Sequence, residues 1–328
     1  MDLAAVFAEP LVDLGAAAPT FEGIYTPESF HGATKVGVTA QFLENAEQYH
    51  RNYFDTGYWE FLLGNALAAA GNPDAPARII DIGSGSGNSV IPLADRFPSA
   101  EIVATDISPQ LLGILRDFLR KRSDGYQRFG LVCVDAMAAN YRPEVAELVV
   151  GAAILHHILD PSRVLASCFH ALAPGGWALF FEPFEAGNTL LKLTYRRILA
   201  AASAVERATP GFCFIERMIE DYRKRERPSS DPIYRELDDK WMFTRTYFER
   251  IRISQGWSEL VTLALNVSPT GLRDQATVHL RLGAGLTAEA LPSWAWSVID
   301  ETDSSISDDL RLEMGQEAAV LLRKPHRR

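Results

Sequence analysis

Between residues 78 and 182 the chain alternates short, unbroken apolar runs with stretches of helical period. The runs fall at 78–82, 101–105, 130–134, 147–152 and 177–181, and helical stretches at 90–97, 110–121 and 161–171 lie between them. An apolar run without polar alternation predicts a strand covered on both faces, and strands alternating with helices predict a parallel sheet flanked by helices. Upstream, 41–58 and 59–70 read as helices, and Gly71-Asn72-Pro73 punctuates their end. After Glu182 the alternation stops. Residues 186–255 read as mostly helical, and strand texture returns at 259–267 and 317–323, with Trp294 and Trp296 between. The pattern divides the chain into a helical N-terminal segment (1–76), an α/β core (77–185), a mostly helical insertion (186–256) and final core strands with a second helical insertion (257–328).

Composition narrows the function classes. At ~150 residues per domain, 328 residues allow two domains or one large domain with insertions. Hydrophobic residues at 47% and charged residues at 23% describe a folded protein whose core needs no disulfide or structural metal. The cysteines, Cys133, Cys168 and Cys213, are odd in number, widely spaced and without CxxC, which argues against a disulfide framework or zinc site and for a reduced, cytoplasmic setting. The first residues lack a basic segment and carry an acid early, so no signal peptide is expected. No apolar run approaches the ~20 residues that span a bilayer, so no membrane partner is expected. With 32 basic against 42 acidic residues, net −10, the chain is not built to grip phosphate backbones, and nucleic acid is excluded as a partner.

The sharpest chemical signal is Ile79-Ile80-Asp81-Ile82-Gly83-Ser84-Gly85-Ser86-Gly87-Asn88, a strand running into a glycine loop and then a helix. Such glycines permit positive φ and let a ligand approach the backbone at the positive end of a helix. A second strand ends in Asp106, where a carboxylate accepts two ribose hydroxyls in dinucleotide folds. A third ends at Asp135-Ala136, placed to read an adenine amino group. The fourth, 147–151, leads into Ile154-Leu155-His156-His157, and Leu172-Ala173-Pro174-Gly175-Gly176 turns a helix into the fifth. A nicotinamide-dependent dehydrogenase is the rival for this loop, but position 88 is Asn where that fingerprint calls for Gly or Ala.

These elements, in this order over about a third of the chain, resemble the class I S-adenosylmethionine-dependent methyltransferases. The resemblance implies a doubly wound, Rossmann-like sheet of seven strands with an N-terminal helical lid and helical caps, and S-adenosyl-L-methionine as cofactor, released as S-adenosyl-L-homocysteine. It implies that Asp81 and the loop of Gly83, Ser84, Gly85 and Gly87 hold the methionine moiety and Asp106 the ribose. Ile107 would pack on the adenine, Asp135 with Ala136 would read its polar edge, and Gly151 would line the donor. Ser108 reads as a helix cap. Tyr25, Tyr49 and Tyr53 lie in the segment that folds over the donor in relatives, where a tyrosine can meet the donor carboxylate.

Methyl transfer from a sulfonium is an in-line displacement that needs a base only when the acceptor carries a proton. The fourth strand is followed by Gly151-Ala152-Ala153-Ile154 rather than the Asn/Asp-Pro-Pro-aromatic motif of nucleic-acid amino-methyltransferases, and no cysteine follows a proline as cytosine C5 enzymes require. Gly151 stands where magnesium-dependent catechol enzymes place an acid, and Glu182-Pro183 where they place an Asp-Asn pair, so no metal is expected. What remains is metal-independent methylation of O, N or C of a small molecule, in keeping with specialised metabolism. His157, ahead of His156, is the candidate base, the alternative being that one of them caps the following helix or packs under it. Glu182, ending the fifth strand on the same edge, is the candidate to orient an amine or hydroxyl, or else a partner in an ion pair. Both insertions leave the carboxyl edge of the sheet and are expected to cover the ligand. Tyr195, Phe212, Phe214, Tyr222, Tyr234, Trp241, Phe243, Tyr247 and Phe248 suit either an aromatic or apolar substrate chamber or the cap's own core. Arg223-Lys224-Arg225-Glu226-Arg227 reads as an attractor of an acidic group or as a solvated helix face. A homodimer is left open. The alternatives are a donor-binding regulatory or scaffold protein and a protein methyltransferase.

Overall fold

A computed structural model describes residues 1–31, 45–72, 75–123, 125–265 and 267–327. Among them, nine strands share one sheet: β1 (Leu11–Asp13), β2 (Ile24–Pro27), β3 (Arg78–Ile82), β4 (Glu101–Asp106), β5 (Phe129–Cys133), β6 (Ala146–Ala152), β7 (Leu172–Pro183), β8 (Glu259–Leu265) and β9 (Glu317–Arg323). Their order is β1-β2-β5-β4-β3-β6-β7-β9-β8. The pairs β2–β5, β5–β4, β4–β3, β3–β6 and β6–β7 are parallel, with Ile80 opposite both Val103 and Val149.

The apolar runs explain the interior. Ile79, Ile80, Ile102, Val103, Val132, Val149, Val150, Leu179 and Phe180 are fully buried, each such side chain contributing about 1.5–3 kcal/mol over an exposed one. Covering helices start where the sequence supplies caps. Ser108 Oγ accepts the Leu111 N–H at 3.2 Å before the helix Pro109–Leu119. Asp160 Oδ1 accepts the Arg163 N–H at 3.3 Å before Pro161–Ala171. Each such cap stabilises by ~1 kcal/mol. From β3 the chain steps outward to β4 and β5, then crosses back to β6 on the other side of β3. Ligands of open α/β sheets bind outside the carboxyl ends of the strands at such a reversal. The reversal therefore singles out the ends of β3 and β6.

The structure corrects three expectations. The sheet has nine strands rather than seven, because β1 and β2 add to the β5 edge. β2 pairs Tyr25 with Val132, and Thr26 Oγ1 donates to the Cys133 carbonyl at 2.9 Å. The N-terminal segment is thus not helical throughout. It supplies two strands before the helices Ala46–Tyr53 and Thr56–Ala69. Residues 41–44 of the first expected helix, Pro73 of the expected stop and Asn266 near the end of the expected strand lie outside the described residues. The third correction concerns Pro174-Gly175-Gly176, which lies inside β7 rather than before it. The register jumps from Ala146↔Leu172 to Leu148↔Trp177, so 173–176 bulge out of the ladder. Gly175 takes φ +82°, and a Cβ on Gly176 would lie 2.8 Å from the Glu147 carbonyl oxygen.

The chain divides into two units. The first comprises Met1–Glu182, Arg245–Leu263 and Ala319–Arg328, and the second Pro183–Thr244 and Ala264–Ala318. In the second unit the helices Glu185–Ala201, Pro210–Arg225, Gly271–Ala284 and Ser293–Ser304 close on Tyr195, Phe212, Phe214, Leu272, Leu280 and Trp296. No helix among the described residues is long and apolar enough to cross a membrane.

Candidate active site

The loop after β3 uses its glycines for different ends. Gly83, Gly85 and Gly87 take φ of +70°, +52° and +109°, the left-handed region that costs other residues energy. A Cβ on Gly83 would lie 2.6 Å from Ile154 Cγ1, and one on Gly87 2.6 Å from Leu115 Cδ1, so both serve packing. A Cβ on Gly85 would meet nothing within 4 Å. Gly85 is where the backbone is bare to an incoming ligand. The turn is tied to β4, since the N–H groups of Gly83 and Ser84 donate to the Thr105 carbonyl at 2.8 and 2.9 Å. Ser84 Oγ donates to the Asp81 carbonyl at 3.1 Å, a structural contact.

The acids differ in how far they are satisfied. Asp106 Oδ2 accepts the Gly85 N–H and Oδ1 the Ser108 N–H, both at 2.8 Å. It is half-buried, and each oxygen keeps lone-pair capacity for further donors. Burial raises its pKa, against the Ser108, Gly85 and Ile107 N–H groups. Asp81 is fully buried in β3, and neither of its carboxylate oxygens has a hydrogen-bond partner. Burial pushes this carboxyl up to about 7, with the Ser84 and Ser89 hydroxyls opposing and Asp106 adding to the rise. The two hydroxyls lie close enough to temper the shift without meeting hydrogen-bond geometry. A buried acceptor without a donor calls for one. Asp135 Oδ1 accepts the Met137 N–H at 2.8 Å, and Asp135, Ala136 and Ile107 are half-buried beyond β5 and β4.

Beyond β6 the chain makes a tight turn, Leu155–His157, fixed by one residue of β7. Glu182, 1% exposed, accepts the N–H groups of Ile154 (3.1 Å) and Leu155 (2.7 Å) on Oε1 and of His156 (3.1 Å) on Oε2. The same Oε2 lies 2.7 Å from His156 Nδ1. A carboxylate oxygen accepts, so Nδ1 carries a proton, and in the neutral ring Nε2 then carries the lone pair. His157 is less buried, its ring centroid 4.0 Å from that of His156. Gly151 is buried beneath this turn, and a Cβ there would lie 2.5 Å from the Phe180 ring and 2.8 Å from Ile154 Cγ2. Gly151→Ala is expected to destabilise the fold by about 1–3 kcal/mol through overpacking. Denaturant unfolding checks this, and an unchanged midpoint would contradict it.

The N-terminal tyrosines separate. Tyr25 sits in β2, and burial, with a smaller contribution from Tyr25, hinders ionisation of Tyr126 ahead of β5. Tyr49 and Tyr53 share the helix Ala46–Tyr53, their ring centroids 4.8 Å apart. That helix is tied to the glycine loop by residues that sequence reasoning missed. His50 Nδ1 lies 2.8 Å from Ser86 Oγ, and Asn88 holds the Tyr53 carbonyl and the Asp55 N–H, each at 2.9 Å. The contacts join positions more than thirty apart, and no local pattern marks them.

In the second unit the cationic run is engaged. Arg223 pairs with Glu220, Lys224 with Asp221, Arg225 with Asp239 and Arg227 with Asp231. Tyr195, Phe212 and Phe214 belong to the unit's own core, and Tyr234 stacks on Trp241 at 4.3 Å.

An open glycine, a donorless buried acid and a second acid with spare acceptor capacity stand together at the reversal of a parallel sheet, where such groups can accept hydrogen bonds from a ligand. Residues 80–178 match the family described as a methyltransferase domain. The chain is 35% identical over 132 residues to a trans-aconitate 2-methyltransferase of Methylobacterium radiotolerans, covering 40% of this chain and 46% of that protein. It is 33% identical over 193 residues to a malonyl-[acyl-carrier protein] O-methyltransferase of Methylococcus capsulatus, covering 58% and 62%. The chain thus spans about half the length of these curated relatives. In fold it is similar to a Haemonchus contortus phosphoethanolamine N-methyltransferase 2 (16% identity, TM-score 0.54, 91% of this chain and 60% of that one). It is also similar to the [4+2]-cyclase SpnF (17%, 0.50, 82% of each). Residues 80–178 of the chain thus carry a methyltransferase domain.

Proposed function

We propose that this protein transfers a methyl group from S-adenosylmethionine to O, N or C of a small molecule without a metal ion. The observation that carries the reading is Asp81, a buried carboxyl with two empty acceptor oxygens beside the bare backbone of Gly85. Asp81 would meet the donor's ammonium, and Asp106 the ribose hydroxyls. Asp135 with Ala136 would read the adenine edge, against Ile107. Tyr49 and Tyr53 stand on the helix tied to the loop. When bound, the donor supplies an electrophilic methyl on a sulfonium. The chain's own part is alignment and, for an acceptor bearing a proton, its removal by His156 Nε2, with Glu182 holding the ring by Nδ1.

The relatives named above, with a demethylmenaquinone methyltransferase of Thermus thermophilus, support a small-molecule acceptor. An aromatic or apolar acceptor has less behind it, because Tyr195, Phe212 and Phe214 are spent on packing their own unit. The second reading, donor binding without transfer, draws on the likeness to a cyclase, since fold does not set the reaction.

Asp81 supplies the test. Its ligand-free pKa of about 7 lies above the ordinary 3.8. The folded chain therefore binds this proton more tightly than the unfolded chain does. The protonated acid stabilises the fold relative to the ionised one, and that stability is lost as pH rises from 3.8 through about 7. An ammonium placed against Asp81 lowers the pKa again. Donor binding near pH 6 is expected to release about one proton, seen calorimetrically as a binding enthalpy that varies with the buffer's ionisation heat. Asp81→Asn should remove that variation and flatten the pH dependence of ligand-free stability. Buffer-independent enthalpy in the unmodified protein would show that Asp81 meets no cation.

A further inference from the structure

Ser86 and Asn88 flank Gly87 in the loop that presents Gly85, and both reach the N-terminal helices of the same unit. Ser86, 5% exposed, lies 2.8 Å from His50 Nδ1, and either tautomer of the imidazole completes that bond. Asn88 Nδ2 donates to the Tyr53 carbonyl, and its Oδ1 accepts the Asp55 N–H. Those are backbone groups at the break between Ala46–Tyr53 and Thr56–Ala69, where Asp55 Oδ1 caps the second helix through the Tyr58 N–H at 2.9 Å. The His50 ring is wedged against Phe54 (centroids 4.5 Å) and Phe118 (5.6 Å), and those two stack at 5.1 Å.

The loop and the helix of Tyr49 and Tyr53 therefore move as one body unless these contacts break. A ligand seated on Gly85 touches a loop whose next residues hold that helix in place. Resting on the donor-binding reading above, we propose that His50 and Asn88 are positioning residues that clasp the helix Ala46–Tyr53 to the glycine loop and set how long the donor or its product stays bound. Neither side chain needs to touch the ligand. His50 acts through Ser86, and Asn88 through the loop backbone that carries it.

A purely structural role would lower stability and leave the exchange of bound ligand alone, so the readout is the dissociation rate of S-adenosylhomocysteine by stopped flow. His50→Ala is expected to speed release by about tenfold, the loss of one buried hydrogen bond with its packing. Ser86→Ala should speed release by the share of that loss that belongs to the hydrogen bond, without disturbing the helix. The double variant should release no faster than His50→Ala alone, because the two side chains form one hydrogen bond. His50→Gln, which keeps a polar group in reach of Ser86, should recover most of the retention. Asn88→Ala should speed release further when added to His50→Ala, and the donor's KM should rise more than kcat falls. Release at the unmodified rate in Ser86→Ala would overturn the clasp, even if His50→Ala does not fold. So would single effects that multiply in the double variant. Either result leaves the methyltransferase reading intact. An unmodified protein that binds no S-adenosylhomocysteine removes that reading, and the clasp with it.

Discussion

Asp106→Ala is expected to weaken S-adenosylmethionine binding by roughly 10²–10⁴-fold, at ~1.5–3 kcal/mol for each hydrogen bond to a charged group. Two ribose hydroxyls account for the magnitude, and the structure adds a second loss. Asp106 also accepts the N–H groups of Gly85 and Ser108 at 2.8 Å, so its removal leaves the loop's most ligand-exposed residue without its anchor. Asp106→Asn separates the effects. An amide oxygen can still accept from Gly85 but brings a donor where the other oxygen accepted from Ser108, so binding should fall to an intermediate level. Calorimetric titration of both variants, with unfolding curves to confirm an intact fold, is the check. Unchanged affinity in the Ala variant would remove Asp106 from the site.

His156→Ala is expected to cut turnover by roughly 10²–10⁴-fold on an acceptor that carries a proton, the usual range for a positioned base, with donor affinity nearly unchanged. The reason for choosing His156 over its neighbour is geometric. Its Nδ1 is held at 2.7 Å by the carboxylate that also accepts the N–H groups of Ile154, Leu155 and His156 itself. The ring and the backbone that carries it are thus fixed by one group. His157→Ala should cost less, because it leaves Glu182 holding the His156 ring in place. Glu182→Gln would leave buried N–H donors facing an amide, at about 1–3 kcal/mol for each donor left unsatisfied, so its kinetics are informative only beside its stability. Single-turnover rates with donor saturating would decide the matter. Normal turnover in His156→Ala would mean that the transfer runs by alignment alone.

The core was legible because its physics is local. Ile79-Ile80, Ile102-Val103 and Val149-Val150 are apolar on both faces, which only a covered parallel strand requires, and all are fully buried. The glycine loop and the acids at 81, 106 and 135 were legible because strand ends and loop glycines are adjacent in sequence. Strands β1 and β2 were not. Each is short; β2 gains its place from β5 far along the chain, Val132 for Tyr25 among its partners, and β1 pairs with β2 in turn. The Pro-Gly-Gly turn was read in the wrong place because a bulge inside a strand and a turn before one need the same residues. In sequence Glu182 reads as an acid that orients a substrate group or joins an ion pair, and its role as acceptor for a whole turn depends on the β6–β7 pairing. Tyr195 and Phe212 could not be assigned from sequence either, since an aromatic in a cap fills a core or a chamber with the same composition.

The most direct test of the account is a titration of the unmodified protein with S-adenosylhomocysteine and, separately, with NADH. Both ligands bring a ribose to Asp106, but only the first brings an ammonium to Asp81. Saturable binding of S-adenosylhomocysteine, with proton release near pH 6, and no binding of NADH is the expected result. Saturable binding of NADH with none of S-adenosylhomocysteine would contradict it.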